Sequence, residues 1–264
     1  MRSLLGAFAA TTLAFGAAPS LVAQEAQPKL SLAVIQAEAA KGRADAISTL
    51  GWMYETGNGV VEDDAKAASL YRTATALGDS FGQWRMGVMI DEGVAQGTSE
   101  QAVALFRQAA AQKSAGAMAS LGVMHATGRG VERDYDAAMR YYQAAARMGS
   151  AHGIQGIGVL YANGQGVPRS MDEALAHWMV AAAAGDEDAM ALLMEHMPAS
   201  SDPKAGPIYD RANAIADAYG VYPADEARTA TARCALSGRG ASAPGRLAGA
   251  DRGAPVPRGW RDTA

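Results

Sequence analysis

One segment of this chain recurs, and the recurrence constrains the fold more than any other feature does. Three copies align without gaps: ISTLGWMYETGNGVVEDDAKAASLYRTATALGD from Ile47, MASLGVMHATGRGVERDYDAAMRYYQAAARMGS from Met118 and IQGIGVLYANGQGVPRSMDEALAHWMVAAAAGD from Ile154. A degenerate copy from Gln83, QWRMGVMIDEGVAQGTSEQAVALFRQAAAQKS, lies between the first two. The copies are 35 or 36 residues apart. Such a period indicates units that cannot bury their apolar faces alone and must stack on one another.

Each copy is predicted to form two helices. The first helix carries a small residue, a Leu/Met/Ile-Gly pair and an aromatic residue on one helical stripe, as in Ala46, Leu50, Gly51 and Tyr54. The second helix alternates small residues with one aromatic side chain; these are Tyr71, Phe106, Tyr142 and Trp178. A glycine inside a helix costs about 1 kcal/mol relative to alanine. We therefore expect the recurring glycine to mark close contact with a neighbouring backbone; its positions are Gly51, Gly87, Gly122 and Gly158.

A Gly-x-Gly loop follows the first helix in three copies; the glycines are Gly57, Gly59, Gly128, Gly130, Gly164 and Gly166. Read alone, such a loop could cradle a phosphate or could end a helix. A phosphate loop is expected once and after a β-strand, whereas this loop occurs three times and after a helix. We interpret it as a left-handed helix cap that reverses the chain, and Asp63, Asp134 and Ser170 as N-cap candidates for the next helix.

The copies resemble the Sel-1-like repeat, a relative of the tetratricopeptide repeat. The matching segments are LGWMYETGNGVVEDDAKAASLYRTA, LGVMHATGRGVERDYDAAMRYYQAA and IGVLYANGQGVPRSMDEALAHWMVAA. The second copy departs from the family pattern, because Glu92-Gly93-Val94 lacks the second glycine. The resemblance implies an all-α fold, an α/α superhelical solenoid of antiparallel helix pairs.

The segments outside the repeats have different compositions. Residues 1–23 have the layout of a secretory signal peptide, with Arg2, an uncharged apolar run and small residues before a cleavage point near Ala23. We expect an N-terminal capping helix within 24–43, the repeats with a partial fifth helix over 44–197, and a linker with a C-terminal capping helix over 198–227. Residues 228–264 are predicted to be a disordered basic tail. Two other interpretations of the tail stay open: a product of a shifted reading frame, and a basic arm for acidic lipid or glycan.

Charge and motif content narrow the function classes. Residues 24–227 contain fifteen basic and twenty-five acidic side chains, an acidic balance that argues against nucleic acid as a partner. Cys234 is the single cysteine, so no intramolecular disulfide can form. No nucleophile motif occurs, and none of the four histidines has metal-ligand spacing. We expect no cofactor, no catalysis and no transmembrane segment in the mature chain.

We therefore expect a monomeric, periplasmic or secreted adaptor that binds a protein or peptide in the cell envelope on its concave surface. The resemblance extends to exported members that regulate envelope signalling. It also extends to disulfide-stapled members that bind penicillins and have been called β-lactamases, and a disulfide-free relative of these is one alternative. A peptidoglycan-binding module is the other.

First-helix positions outside the core stripe are the candidates for the concave surface. They include one row at Ser48, Trp84, Ala119 and Gln155, a second at Trp52, Val88, Val123 and Val159, and a third at Glu55, Asp91, Ala126 and Ala162. Tryptophan beside arginine is typical of interface hot spots. The predicted partner-binding residues are Trp52, Glu55, Trp84, Arg85 and Asp91. The alternative is that Trp52 packs against the next helix, because the other copies have valine there.

Overall fold

A computed structural model describes residues 31–198, 203 and 205–221, and every regular element within them is an α-helix. The helices are α1 Leu32–Ala40, α2 Ala44–Thr56, α3 Asp64–Ala76, α4 Ser80–Asp91, α5 Ser99–Ala111, α6 Ala115–Thr127, α7 Tyr135–Ala146, α8 Ala151–Asn163, α9 Met171–Ala183, α10 Glu187–His196 and α11 Ala205–Tyr219. The predicted all-α fold is confirmed. None of these helices is long and apolar enough to cross a membrane.

Several predicted segments cannot be compared with the structure. The signal peptide, residues 24–30 and the tail with Cys234 lie outside the described residues, as does most of the predicted linker. The chain divides into a unit of residues 1–31, of which only Ser31 is described, and a helical unit that begins at Leu32.

Short polar residues start the helices. Asp63, Asp134 and Ser170 have extended backbones, and their side chains accept hydrogen bonds from the backbone N–H three residues later. The degenerate copy has a full capping box, in which Thr98 and Gln101 bond reciprocally. The first helices of later pairs begin in the same way; their caps are Asp79, Ser114, Ser150 and Asp186.

Antiparallel pairs stack in chain order. The pairs are α2/α3, α4/α5, α6/α7 and α8/α9, and each second helix also contacts the first helix of the next pair. The first helices of successive pairs contact one another, whereas the second helices do so less. Because the closer layer lies inside the curve of a stack, the first helices form the inner layer of this solenoid.

The recurring glycine makes room for an aromatic ring. A methyl group added at Gly122 would lie 2.5 Å from the Tyr142 ring, and one at Gly87 would lie 2.6 Å from the Phe106 ring. The same relation joins Gly51 to Tyr71 and Gly158 to Trp178. The expectation of backbone contact was therefore wrong in the main, because the atoms that fill the space belong to the second helix's aromatic side chain. The recurring glycine and the recurring aromatic residue therefore contact each other in each helix pair.

The stack ends in a different way. Helix α10 occupies the register of a fifth first helix, but Met194 stands at the position of the recurring glycine and is 79% exposed. Because this side chain is so exposed, no aromatic ring of the described residues covers it. Helix α11 packs instead on α9, and buries Ile208, Ala212 and Ile215 in the cluster that α9 shares with α8.

Candidate partner-binding surface

The inner layer presents a row of half-buried apolar side chains at the same register position in each pair. The row consists of Trp52, Val88, Val123 and Val159. A second predicted row behaves differently, because Ser48 and Ala119 are only 0% and 1% exposed. Those two positions face the neighbouring helices rather than solvent, so their assignment to the surface was wrong by a fraction of a helical turn. Trp84 and Gln155 in that same row are half-buried.

Four of the five predicted partner-binding residues line one groove. Trp52, Glu55, Trp84 and Arg85 contribute to a cavity of about 500 Å³ between α2 and α4, here called the α2–α4 groove. Phe81 and Met89 form apolar parts of its wall. Three exposed acids also line it; these are Glu62, Asp64 and Glu92.

Glu55 holds the centre of this groove together. Its carboxylate accepts hydrogen bonds from the Tyr71 hydroxyl at 2.6 Å and from Arg85 Nε at 3.1 Å, and it forms an ion pair with the Arg85 guanidinium. Burial, followed by the nearby Glu55 carboxylate, raises the pKa of Tyr71 above its ordinary value. Burial alone would lower the pKa of Arg85, but the bond and charge of Glu55 outweigh it and raise this pKa. The ion pair joins α2 to α4, and the hydrogen bond from Tyr71 joins α2 to α3.

Trp84 belongs partly to the stack and partly to the groove. Its indole N–H donates to Ser120 Oγ at 3.1 Å, and its ring covers Gly116, where an added methyl group would lie 2.5 Å away. On the groove side, Phe81 meets the ring edge-on at 5.6 Å, and the Arg85 guanidinium lies 5.2 Å from its centre. Replacement of Trp84 would consequently disturb the contact between α4 and α6 as well as the surface.

Asp91 lies apart from the other four residues. Its carboxylate forms an ion pair with Arg129 at 3.0 Å, which links the end of α4 to the loop after α6. It does not line the α2–α4 groove. Asp91 and Glu55 occupy the same position in successive repeats. Glu55 nevertheless pairs with Arg85 of the second helix pair and Asp91 with Arg129 of the third, so the two acids belong to different contacts.

The loop glycines are structural. All six predicted turn glycines have positive φ, between 64° and 76°. Gly57, Gly128 and Gly164 are the left-handed C-caps of their helices. A side chain at Gly130 would overlap the backbone of Ser99 at the start of α5, and one at Gly166 would lie 2.8 Å from Tyr135 Cβ at the start of α7. The loops of the third and fourth pairs therefore seat those pairs on the preceding one.

The repeat pattern did not predict the acids at the edge of the groove. Glu92 lies in the altered loop of the degenerate copy, and Glu62 and Asp64 lie at the start of α3. The shorter loop of the degenerate copy was the available signal, because it is the one place where the repeat's loop changes. Within residues 31–198 and 205–221, no three His, Cys, Asp or Glu side chains are grouped so as to hold a metal ion.

Comparison with known proteins agrees with this architecture. The Sel1 repeat family model matches residues 44–79, 80–114, 115–150 and 152–186, more than half of the chain. A Sel1 repeat protein from Oxalobacter formigenes shares 27% identity and a TM-score of 0.53, with 75% of this chain and 89% of that one covered. No curated protein matches.

Two further solved structures are similar at lower levels. One is c5321, a protective antigen of uropathogenic Escherichia coli with an SLR fold, at 22% identity and a TM-score of 0.43, covering 81% of this chain and 53% of that one. The other is the immunity protein Pa5087 from Pseudomonas aeruginosa, at 22% identity and a TM-score of 0.48, covering 71% of each chain.

Proposed function

This chain belongs to the Sel1 repeat family, and on that premise we propose that it is an exported, non-catalytic scaffold that binds a protein or peptide of the cell envelope along the inner face of its first helices. Repeats of this family typically mediate protein–protein interaction. The observation that carries the assignment to this face is the α2–α4 groove, which opens between two first helices and gathers Trp52, Glu55, Trp84 and Arg85.

The inner face has the composition of a recognition surface. It offers a half-buried apolar row from Trp52 to Val159, with charged side chains beside its first two members. Tryptophan and arginine in partly desolvated positions dominate binding energy in many interfaces. Export is supported by residues 1–23, whose sequence has the layout of a signal peptide.

Site-specific crosslinking tests the face. A photoreactive residue replaces the exposed Glu92 in the groove, and in a matched variant it replaces Arg140, whose side chain is 70% exposed on α7. We expect a discrete crosslinked partner from position 92 in intact cells and none from position 140 at equal abundance. Crosslinking from position 140 alone would place the partner on the outer layer and contradict the proposal.

Two further measurements test export and the two alternative functions. Deletion of residues 1–23 is expected to leave the chain in the cytoplasm, and recovery of this variant outside the inner membrane would contradict signal-dependent export. The mature chain is also incubated with purified peptidoglycan and with a fluorescent penicillin. We expect neither sedimentation with the polymer nor covalent labelling; either result would favour the corresponding alternative function.

A further inference from the structure

The α2–α4 groove differs from every equivalent position in the later pairs. Valine replaces Trp52 at all three later positions, and alanine replaces Glu55 in the third and fourth pairs. Asp91, the remaining equivalent of Glu55, is paired with Arg129. The combination of residues in the groove therefore occurs once among the four helix pairs, and we expect the groove to bind a ligand that the later pairs do not bind.

We propose that the α2–α4 groove binds one basic side chain, arginine or lysine, of the partner protein. This inference rests on the proposed function and adds the chemistry of the residue that is recognised.

Charge in the groove is unbalanced. Arg85 is the one basic residue in its wall, and this guanidinium is committed to the Glu55 carboxylate. Glu62, Asp64 and Glu92 remain, all exposed, and none of them forms an ion pair with another described residue. A groove with three uncompensated carboxylates at its edge attracts a cation and disfavours an acidic partner.

An aromatic face is also available. Trp84 already has a guanidinium 5.2 Å from its ring centre, that of Arg85, whereas no cation of the described residues lies over Trp52. Tryptophan is the ring that binds cations best, and the interaction strengthens when water is partly excluded. Trp52 is half-buried and packs on the cluster that contains Tyr71, so its ring is held in place before a partner arrives.

Size is consistent with a side chain rather than a domain. The groove encloses about 500 Å³, and pockets of roughly 300–1,000 Å³ are typical of sites for small ligands. The alkyl stem of an arginine or lysine would pack against the apolar wall formed by Phe81 and Met89. Its charged end would then lie at the Trp52 ring, in the field of the three carboxylates.

Peptide titration tests the inference. The probe is a blocked heptapeptide of alternating glycine and arginine, and its control has citrulline in place of arginine, which keeps the shape but removes the charge. Binding to the mature chain is followed at low salt through the indole N–H resonances of Trp52 and Trp84. We expect the arginine peptide to shift the Trp52 resonance and to bind at least about tenfold more tightly than the citrulline peptide. Equal binding of both peptides would overturn the inference.

Two variants localise the effect. Trp52→Val introduces the residue that the three later pairs have, and Glu92→Gln removes one rim charge; each is expected to weaken arginine-peptide binding about threefold or more. Asp188→Asn, on the exposed surface of α10, is the matched control and should leave binding unchanged. If Trp52→Val impairs folding, the Glu92 variant and the citrulline peptide decide the matter, because both leave the core intact.

The two proposals fail in different ways. Loss of charge preference with a persistent crosslink from position 92 would overturn the basic-side-chain inference and leave the scaffold function standing. A charge-selective groove without any crosslinked partner would overturn the scaffold function, and would leave only the preference of the groove for a cationic side chain.

Discussion

Gly130 lies where the loop after α6 crosses the start of α5, and its position admits no side chain. Its φ is +64°, a conformation that costs L-residues about 1–2 kcal/mol. In addition, a Cβ at this position would overlap the Ser99 backbone. Gly59 has a similar φ of +75°, but only Met53 Cε, at 3.5 Å, lies near it. Both glycines therefore have the cost of a positive φ, whereas only Gly130 also has a close contact with neighbouring backbone.

Alanine substitutions at Gly59 and Gly130 measure these two costs separately. We expect Gly59→Ala to lower the free energy of unfolding by about 1–2 kcal/mol, and Gly130→Ala to lower it by about 1–3 kcal/mol more because backbone must move. Urea denaturation followed by circular dichroism measures both. Equal losses would mean that the loop does not seat against α5.

Lys113 is the one described non-glycine residue with positive φ, at +65°. It occupies the turn between pairs where Gly78, Gly149 and Gly185 stand in the other copies. Lys113→Gly is therefore expected to stabilise the protein by about 0.5–1 kcal/mol, since relief of strain exceeds the entropy that glycine adds to the unfolded chain. Gly149→Ala, with open space around it, should destabilise by a similar amount. An unchanged or lower melting temperature for Lys113→Gly would contradict this account.

Within a helix pair, the unit of packing is the contact between the first helix's glycine and the second helix's ring. Alanine improves helix propensity by up to about 1 kcal/mol, yet at Gly122 the added methyl group would lie 2.5 Å from the Tyr142 ring. We expect Gly122→Ala to destabilise by about 1–3 kcal/mol through overpacking. Gly206→Ala on α11, where an added methyl group would meet no atom within 4 Å beyond its chain neighbours and its own helix backbone, is the control and should cost less. Thermal unfolding distinguishes the two, and a stabilised Gly122 variant would show that the ring can move aside.

The repeat register was sufficient to predict the helices, their order and their turns, because each depends on residues close in sequence. It placed Trp52, Glu55, Trp84 and Arg85 near one another for the same reason. It could not predict that Arg85 pairs with Glu55, since this contact joins two helices whose spacing depends on packing. Nor could it predict that Ser48 and Ala119 are buried, because one helical step decides whether a side chain faces solvent or the neighbouring first helix.

Across the whole molecule, packing is local along the stack. The buried residues form separate clusters, and the largest extends from α7 to α11 and includes Ile208. The cluster around Tyr71 lies at the other end of the stack. Stability in such arrays is close to a sum of unit and neighbour terms, so a defect in one cluster should spread little.

Ile208→Ala tests this locality. Ile208 is 1% exposed, so its truncation should cost about 2–5 kcal/mol in its own region. Hydrogen exchange should show faster opening of α8 to α11 and unchanged protection in α2 to α4. Uniformly faster exchange along the chain would mean that the array unfolds as one cooperative unit.

Met194 has a consequence for how such an array can change in length during evolution. Copying or deleting a 35- or 36-residue unit upstream would leave α10 intact, with its methionine still where a ring would otherwise dock. The gene could thus gain or lose internal units while keeping the same terminus. Addition beyond α10 would require a smaller residue at position 194 first. The Met194 side chain therefore disfavours extension of the array beyond α10, whereas the number of units upstream can vary.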